Sequence, residues 1–440
     1  RLKIYRNGVW GCHLTTYRGF NGLSLLKAVR KINIRSWLKH VNENIVLLWD
    51  SHGFFEVKLE CVNANTLKNL KCGSLVLIKG LLTGVNEICV EELQVLHAPL
   101  EEELLCKEGF PSDPVEYTKK YPEYVKHPRV LRSIHVYSSL LNYTRLFLLK
   151  QGFIELPPPI IGYSSDPGLR GARKVQIEMY NGLFELQSSL IMYKQLYASV
   201  LDRIFYVARN IRIEPAENAL TGRHLVEFTQ VDVEMADVSS NVAMSLAEKT
   251  VYSTVRRALN ELLELLEYSE IRRLEREITK PPYPRLTYDE AVNELLKMGV
   301  QIKQGEELPF EAEALIANKY ATPVWIERFP VKARGFYYLE DPDHPGYNID
   351  YNLLFPGGHG EVLDGGCREY RYEKLSRKIK EVHKEPLEKY SWFLELAEKG
   401  LIRPTCGWGL GMERFVKYIL NLEHIAYATP HPRLPGVIGP

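Results

Sequence analysis

Between Arg203 and Ala236 the chain reads RIFYVARNIRIEPAENALTGRHLVEFTQVDVEMA, two runs of alternating apolar and polar residues joined by a loop rich in Glu, Asn and Gly. Alternation at period two sends successive side chains to opposite faces of a strand, so this segment commits the chain to an antiparallel pair. Arg212 and Glu214 lie two residues apart and share a face. Glu227, with Phe228 on the opposite face, opens the second strand, which continues through Gln230, Asp232 and Glu234. An Arg, a Glu, an aromatic ring and a mobile Arg223-His224 tip together suit a nucleotide: charge for phosphate, an acceptor for an amino group, a face for stacking.

Two further segments share this logic. FIELPPPII follows a helix that ends at Gly152 and runs a strand into Pro157, Pro158 and Pro159. GWGLGMERFVKYIL places Gly407, Gly409 and Gly411 ahead of an amphipathic helix that begins near Met412. The glycines allow close backbone approach, and Arg414 in the first helical turn adds a cation beside the positive end of the helix, which suits a phosphate. Each piece has a bland alternative, since a lone Gly-x-Gly-x-x-Arg is a weak signal and an Arg/Glu pair on a strand is usually a surface ion pair. The ordered set is far more specific.

Around this core the chain is organised in blocks. From Ile32 to about Leu96 five short β-rich runs alternate with turn signals, with a helical stretch ANTLKNL between the third and fourth, which suits an OB-fold or another small β-barrel. Residues 98–129 are acidic and proline-punctuated and read as a linker or hinge. From Val130 the pattern mixes long amphipathic helices (Val130 to Gln151, Asn241 to Ile278) with strands near Ile154, Phe184, Phe205, Val226, Val324, Phe336 and Glu361, which predicts an α+β domain around a mostly antiparallel sheet. The division expected is therefore an extension of unassigned role over residues 1–30, a barrel over 31–97, a linker over 98–129 and a large domain over 130–440.

With 45% apolar and 25% charged residues in 440, the chain can bury a substantial core without staples, and disorder is excluded. Lys+Arg 56 against Asp+Glu 55 gives a net charge of +1, so the whole molecule does not grip nucleic acid by charge alone. The seven cysteines (Cys12, Cys61, Cys72, Cys89, Cys106, Cys367, Cys406) form an odd set with no Cys-x-x-Cys pair and are expected to be reduced thiols of a cytosolic protein. No apolar run approaches the ~18 to 20 residues that span a bilayer, and the start RLKIYRNGVWGCHL lacks the apolar stretch of a signal peptide, so a soluble, cytoplasmic protein is expected.

The three segments in this order resemble the signature motifs of class II aminoacyl-tRNA synthetases, and RIEP…RHLVEFTQVDVEMA with GWGLGMERF resembles the aspartyl/asparaginyl group. That resemblance implies ATP and Mg²⁺, a homodimer through the first motif, and attack by a substrate carboxylate on the α-phosphorus of ATP. By the same resemblance Arg212 holds the α-phosphate, Arg414 the γ-phosphate, Phe228 stacks on adenine and Glu214 takes its amino group. Arg223 and His224 close over the phosphates, and Glu361 in GHGEVLDGG carries Mg²⁺. Ser189, Lys194, Gln230, Asp232, Gly365 and Arg368 are implied for the amino acid. Lys194 and Arg368 as two converging cations favour aspartate over asparagine.

Two positions depart from the group. Ile191 stands where aspartyl enzymes carry a Gln that binds the substrate α-amino end, and in the barrel Ile45 and Glu56 stand where a base-stacking Phe and a base-reading Gln are usual. Aromatics Trp37, Trp49, Phe54 and Phe55 remain as candidates for an RNA surface. LQSSLIMYKQ, HGEVLDGGCREYRYEKL and PHPRLPGV resemble most the archaeal asparagine synthetases related to asparaginyl-tRNA synthetase. The expectation is therefore adenylation of aspartate followed by amidation with ammonia to asparagine. The alternatives are a genuine aspartyl- or asparaginyl-tRNA synthetase that charges tRNA, and a catalytically retired paralogue that binds amino acid or RNA for regulation.

Overall fold

The computed structural model describes residues 30–440 except His52, Val85, Glu102 and residues 165–171. The extension expected over residues 1–30 thus lies, but for its last residue, outside the described residues. The chain divides into two compact units: one runs to His135 and includes Ile438–Pro440, and the other is Val136–Val437.

In the first unit β1 (Arg30–Asn42), β2 (Ile45–Asp50), β3 (Gly53–Glu60), β4 (Leu75–Gly84) and β5 (Glu87–His97) close into a barrel in the order β1-β2-β3-β5-β4. Alternation fills it: Ile32, Ile34 and Leu38, then Val46 and Leu48, Val57 and Leu59, Val76 and Ile78, Ile88 and Val90 are all buried inside. The helix Ala64–Lys68 sits between β3 and β4, where the sequence predicts one. The acidic stretch read as a linker folds instead as the helices Leu104–Lys107 and Pro114–Lys120. It is tied to the barrel side by Lys39 Nζ on Leu105 O (2.9 Å), by Lys126 over the Trp37 ring (4.2 Å), and by Cys72–Cys106. Proline and acid content alone could not reveal those long-range anchors.

The cysteines also differ from expectation. Cys61–Cys89, Cys72–Cys106 and Cys367–Cys406 are disulfides, with sequence separations of 28, 34 and 39 residues. No local spacing signals such pairs. Strand pairing makes two of them, since Glu60 lies opposite Cys89 and Cys367 opposite Cys406. Cys12 lies outside the described residues.

The second unit is built on an eight-stranded sheet. Its strands are β6 (Ile154–Leu156), β10 (Arg203–Ile211), β11 (Glu227–Ala236), β12 (Arg285–Thr287), β13 (Val324–Glu327), β14 (Asp350–Phe355), β15 (Gly360–Cys367) and β16 (Thr405–Gly411), in the order β12-β13-β14-β15-β16-β11-β10-β6. Only the β6–β10 and β12–β13 pairs are parallel, so the mostly antiparallel α+β domain is as expected. A small sheet of β7 (Ile161–Gly162), β8 (Gln176–Met179) and β9 (Gly182–Leu186) lies apart from it.

Two elements differ. The helix predicted from Asn241 to Ile278 is two helices, Ser240–Glu261 and Tyr268–Glu277, because a Glu267/Glu270 capping box starts the second afresh. Phe336 lies in a turn rather than a strand, and its apolar neighbours reflect burial in a helix-lined core.

Register decides which side chains reach which face. Across the centre of the sheet Asp232 lies opposite Gly409, Gly409 opposite Asp364 and Asp364 opposite Asn352. One residue along, Val233, Trp408, Gly365 and Tyr351 form the neighbouring row and point to the other face. That second face packs under the helix Ser240–Glu261, whose Ala243, Met244, Ala247, Val251 and Val255 are fully buried.

Candidate functional site

The face carrying Gln230, Asp232 and Glu234 forms the floor of a cavity of about 420 Å³ within the second unit. Its wall includes Arg212, Glu214, Arg223, His224, Phe228, Glu361 and Arg414, together with Ser189, Lys194, Gln230, Asp232 and Arg368. Every expected site residue but Gly365 lines it. Gly365 sits on the opposite face of β15, where a Cβ would lie 2.6 Å from Gly407 O and 2.8 Å from the Trp408 Cβ, so its role is backbone packing. Glu361 returns to the cavity face through a bulge: Leu353 pairs with Leu363 but Leu354 pairs with Glu361, so β15 carries one extra residue.

At one end four buried charges form a chain. Lys194 Nζ lies 3.0 Å from Asp232 Oδ1 and 3.7 Å from Glu234 Oε2, and Arg368 grips Glu234 through Nε (3.0 Å) and Nη2 (3.2 Å). Thr405 Oγ1 donates to Glu234 Oε1 at 2.7 Å. Burial disfavours the Arg368 guanidinium, but Glu234 outweighs that and holds its pKa above the ordinary value. Two polar atoms here are buried with no protein partner: Asp232 Oδ2 and Arg368 Nη1.

At the other end Arg414 Nη1 donates to Glu361 O and Oε1, both at 3.0 Å, and Asn352 Nδ2 donates to Glu361 Oε2 at 3.3 Å. The Arg212 guanidinium lies 5.0 Å over the Phe228 ring, and its Nε donates to Ser188 O at 3.1 Å. Glu214 accepts from Asn218 Nδ2 at 3.1 Å, and His224 Nδ1 lies 2.7 Å from Thr221 Oγ1. Arg223, expected at a mobile tip, is instead buried: it pairs with Glu313 at 3.1 Å and lies 4.4 Å over Phe310. The hairpin loop is anchored from a helix, Phe310–Lys319, that no hairpin pattern foreshadows.

A third cluster escaped sequence reading altogether. Arg334, 4% exposed in its side chain, donates to Asp350 Oδ2 (3.0 Å), Glu307 Oε1 (2.9 Å), Asp364 Oδ2 (2.8 Å) and Asn352 Oδ1 (2.5 Å). Tyr338 Oη donates to Asp364 Oδ1. Burial pushes the Asp350 carboxyl up to about 7 against the pull of Arg334. Arg334 comes from an irregular loop, FPVKARGFYY, with no motif to mark it, whereas Asp364 lies in the GHGEVLDGG segment three residues after Glu361.

The family of tRNA synthetases class II (D, K and N) matches residues 112–435. The chain is a member of that family. The asparagine–tRNA ligase of Pyrococcus abyssi is 30% identical over 385 residues, 85% of this chain and 86% of that one. That of Thermococcus kodakarensis is 31% identical over 320 residues, 72% of each chain. The crystal structure of asparaginyl-tRNA synthetase from Pyrococcus horikoshii complexed with asparaginyl-adenylate aligns with a TM-score of 0.82 at 26% identity, covering 94% of this chain and 96% of that one.

Membership in this class II synthetase family revises two expectations. The relatives are tRNA ligases, so charging of tRNA is the favoured reading and amidation by ammonia is not supported. The preference for aspartate also loses its physical basis. It rested on two uncompensated cations, but in the synthetase Lys194 and Arg368 are already neutralised by Asp232 and Glu234. Among the described residues no helix is long and apolar enough to cross a membrane, and no group of three His, Cys, Asp or Glu side chains is placed to hold a metal ion by itself.

Proposed function

We infer that this synthetase activates asparagine with ATP and transfers it to the 3′ end of a tRNA. The observation that carries the reading is the pair of atoms left over at the amino-acid end. Arg368 Nη1 is a buried donor and Asp232 Oδ2 a buried acceptor, in a pocket whose two cations and two carboxylates cancel. A carboxamide supplies one acceptor and two donors and satisfies both. Aspartate would set a carboxylate against Asp232 Oδ2 with no spare cation to offset it, and an unpaired buried group costs more than the bond it replaces contributes.

The asparagine carboxylate attacks the α-phosphorus of ATP in line, the bond to the β-phosphate oxygen breaks, and asparaginyl-adenylate and pyrophosphate form. No general base is required, because the nucleophile is already an anion. Arg212 would meet the α-phosphate where the pentavalent oxygens gain charge. Phe228 seats Arg212 and offers adenine a stacking face, and Glu214 accepts from the adenine amino group. Arg414 would take the γ-phosphate, and Arg223, braced by Glu313, shapes the phosphate end from behind. Mg²⁺ fits the donor set: Glu361 is a carboxylate in the wall beside Arg414, and this ion is ordinarily held by one or two carboxylates together with phosphate oxygens. When bound it neutralises phosphate charge. In the second step a terminal tRNA hydroxyl attacks the activated carbonyl and AMP leaves.

The five-stranded barrel reads as an OB-fold that meets RNA, and exposed Leu146, Leu149, Ile154, Ile160 and Ile161 support a homodimer through the first motif. The test is a product assay with ATP, Mg²⁺ and either asparagine or aspartate plus ¹⁵N-ammonium, with and without tRNA. Pyrophosphate exchange with asparagine and formation of asparaginyl-tRNA are expected. Labelled free asparagine made from aspartate without tRNA overturns the reading.

A further inference from the structure

The groups that hold Glu234 come from different strands. Arg368 follows the last residue of β15 and Thr405 opens β16, while Glu234 itself lies on β11. Arg368 therefore reaches across β16 to the carboxylate. It can do so because Gly407, which lies opposite both Glu234 and Gly366, leaves the intervening strand bare, and a Cβ there would run into Glu234 Oε2. Neighbouring strands stand about 4.8 Å apart, so the guanidinium spans a gap on the order of 10 Å between backbones. The direction of Arg368 Nη1 is then fixed by the grip of Nε and Nη2 on Glu234, and that grip depends on how β15 and β16 are held together at this rung.

This rung is the end of the ladder. Cys367 opposite Cys406 is the last paired position of the two strands, and the ends of elements open first. Beyond it Arg368 N donates to Thr405 O at 2.8 Å, but Pro404 has no N–H to return, and its carbonyl accepts from Asp237 N instead. A covalent bond closes the rung. Cys367–Cys406 is the one disulfide in this unit among the described residues, the other two lying in the barrel unit. By alternation its sulfurs sit on the helix-packed face behind the cavity floor, each one residue away from a group that bonds Glu234. Once reduced, Cys406 has another partner: its Sγ lies 3.1 Å from Val238 O, just past β11, which flanks β16 on the side away from β15.

We propose that the Cys367–Cys406 disulfide positions the amino-acid end of the cavity. Oxidised, it holds Arg368 and Thr405 on Glu234 and so aims Arg368 Nη1 at the substrate carboxamide. Reduced, the rung loosens and asparagine binds more weakly. The change is an exchange with a dithiol: a thiolate of the reductant attacks one sulfur, the S–S bond breaks, and the second thiol resolves the mixed disulfide. The reductant leaves as a cyclic disulfide, and its two protons end on Cys367 and Cys406. ATP is met at the other end of the cavity by Arg212 and Arg414, which this pair does not touch. The assignment rests on the asparagine reading above.

The test is pyrophosphate exchange without tRNA on the oxidised wild type, after dithiothreitol, and after reoxidation, with alkylation and mass spectrometry reporting the state of each cysteine pair. Reduction should raise the KM for asparagine about three- to tenfold, part of the loss expected for one charge-assisted hydrogen bond, and leave the KM for ATP unchanged. Reoxidation should restore the starting value. Cys367→Ala/Cys406→Ala should show the raised KM from the outset and no further response to dithiothreitol, which separates this pair from the two disulfides of the barrel unit. A merely structural staple lowers the melting temperature and leaves the ratio of the two KM values unmoved; that result, in verified reduced enzyme or in the double variant, overturns the proposal while the asparagine reading stands. Oxidised wild type that exchanges with aspartate but not asparagine overturns both.

Discussion

Lys194 lines the cavity, and its partners there change what its charge can do. Its charge serves Asp232 and Glu234, so it organises acceptors rather than meeting a substrate anion. Lys194→Leu leaves both carboxylates buried without that cation, a defect of about 3 to 5 kcal/mol when a buried pair is broken. The expected outcome is a large drop in melting temperature together with a raised asparagine KM, checked by calorimetry and exchange kinetics on the same preparation. Arg212 is the opposite case. It makes one hydrogen bond to backbone and one ring contact, so Arg212→Ala should cost about 1 to 2 kcal/mol of stability. Its loss where charge develops should slow pyrophosphate exchange by about a hundredfold or more. A variant that melts normally and exchanges at the wild-type rate would remove Arg212 from the phosphate site.

At the scale of elements, the turn that leads into β15 carries its own titration. His359 is buried against Tyr418, with ring centroids 5.2 Å apart. Burial, then Lys417 and Arg273, push its pKa from 6.5 down to about 3. The folded protein therefore holds His359 neutral while the unfolded chain takes up a proton below about pH 6.5, so this contribution to stability is present above that pH and is lost as the pH falls toward 3. His359→Gln should remove a one-proton slope from the dependence of unfolding free energy on pH between about 6.5 and 4. Urea melts of both proteins across that range provide the check, and parallel curves would refute it. The same turn feeds the bulge that aims Glu361 at Arg414, so acid exposure should disturb the phosphate end early.

At the scale of the molecule, the whole cavity lies within Val136–Val437 and the barrel in the other unit. On the proposed function, activation of the amino acid and contact with RNA are therefore expected to be separable. Glu56 is exposed on the barrel, opposite Leu47 of the neighbouring strand, and Ile45 is 41% exposed on the same sheet. A carboxylate on a surface that meets phosphate is repulsive. Glu56→Lys should tighten tRNA binding, steepen its salt dependence and leave pyrophosphate exchange unchanged. Filter binding at two salt concentrations decides it, and unchanged affinity would move the RNA surface off this face.

By itself the sequence determined the strand pair Arg203–Ala236, the glycine strand leading into the helix at Met412 and the barrel's alternation, because each is written in local period or short spacing; the resemblance added Lys194, Glu361 and Arg368, while Glu307, Arg334, Asp364 and Glu413 in the same cavity carry no such mark. It was equally sufficient for the family. Tertiary structure alone decided how those charges combine: that Lys194 and Arg368 are cancelled, that Gly365 faces the helices by register, that Arg223 is pinned by Glu313, and that Arg334 gathers Asp350, Glu307 and Asp364 into one wall. The partners in those pairs lie between 16 and 134 residues apart in the chain. Net charge at a site depends on such long-range neighbours, and no local pattern encodes them.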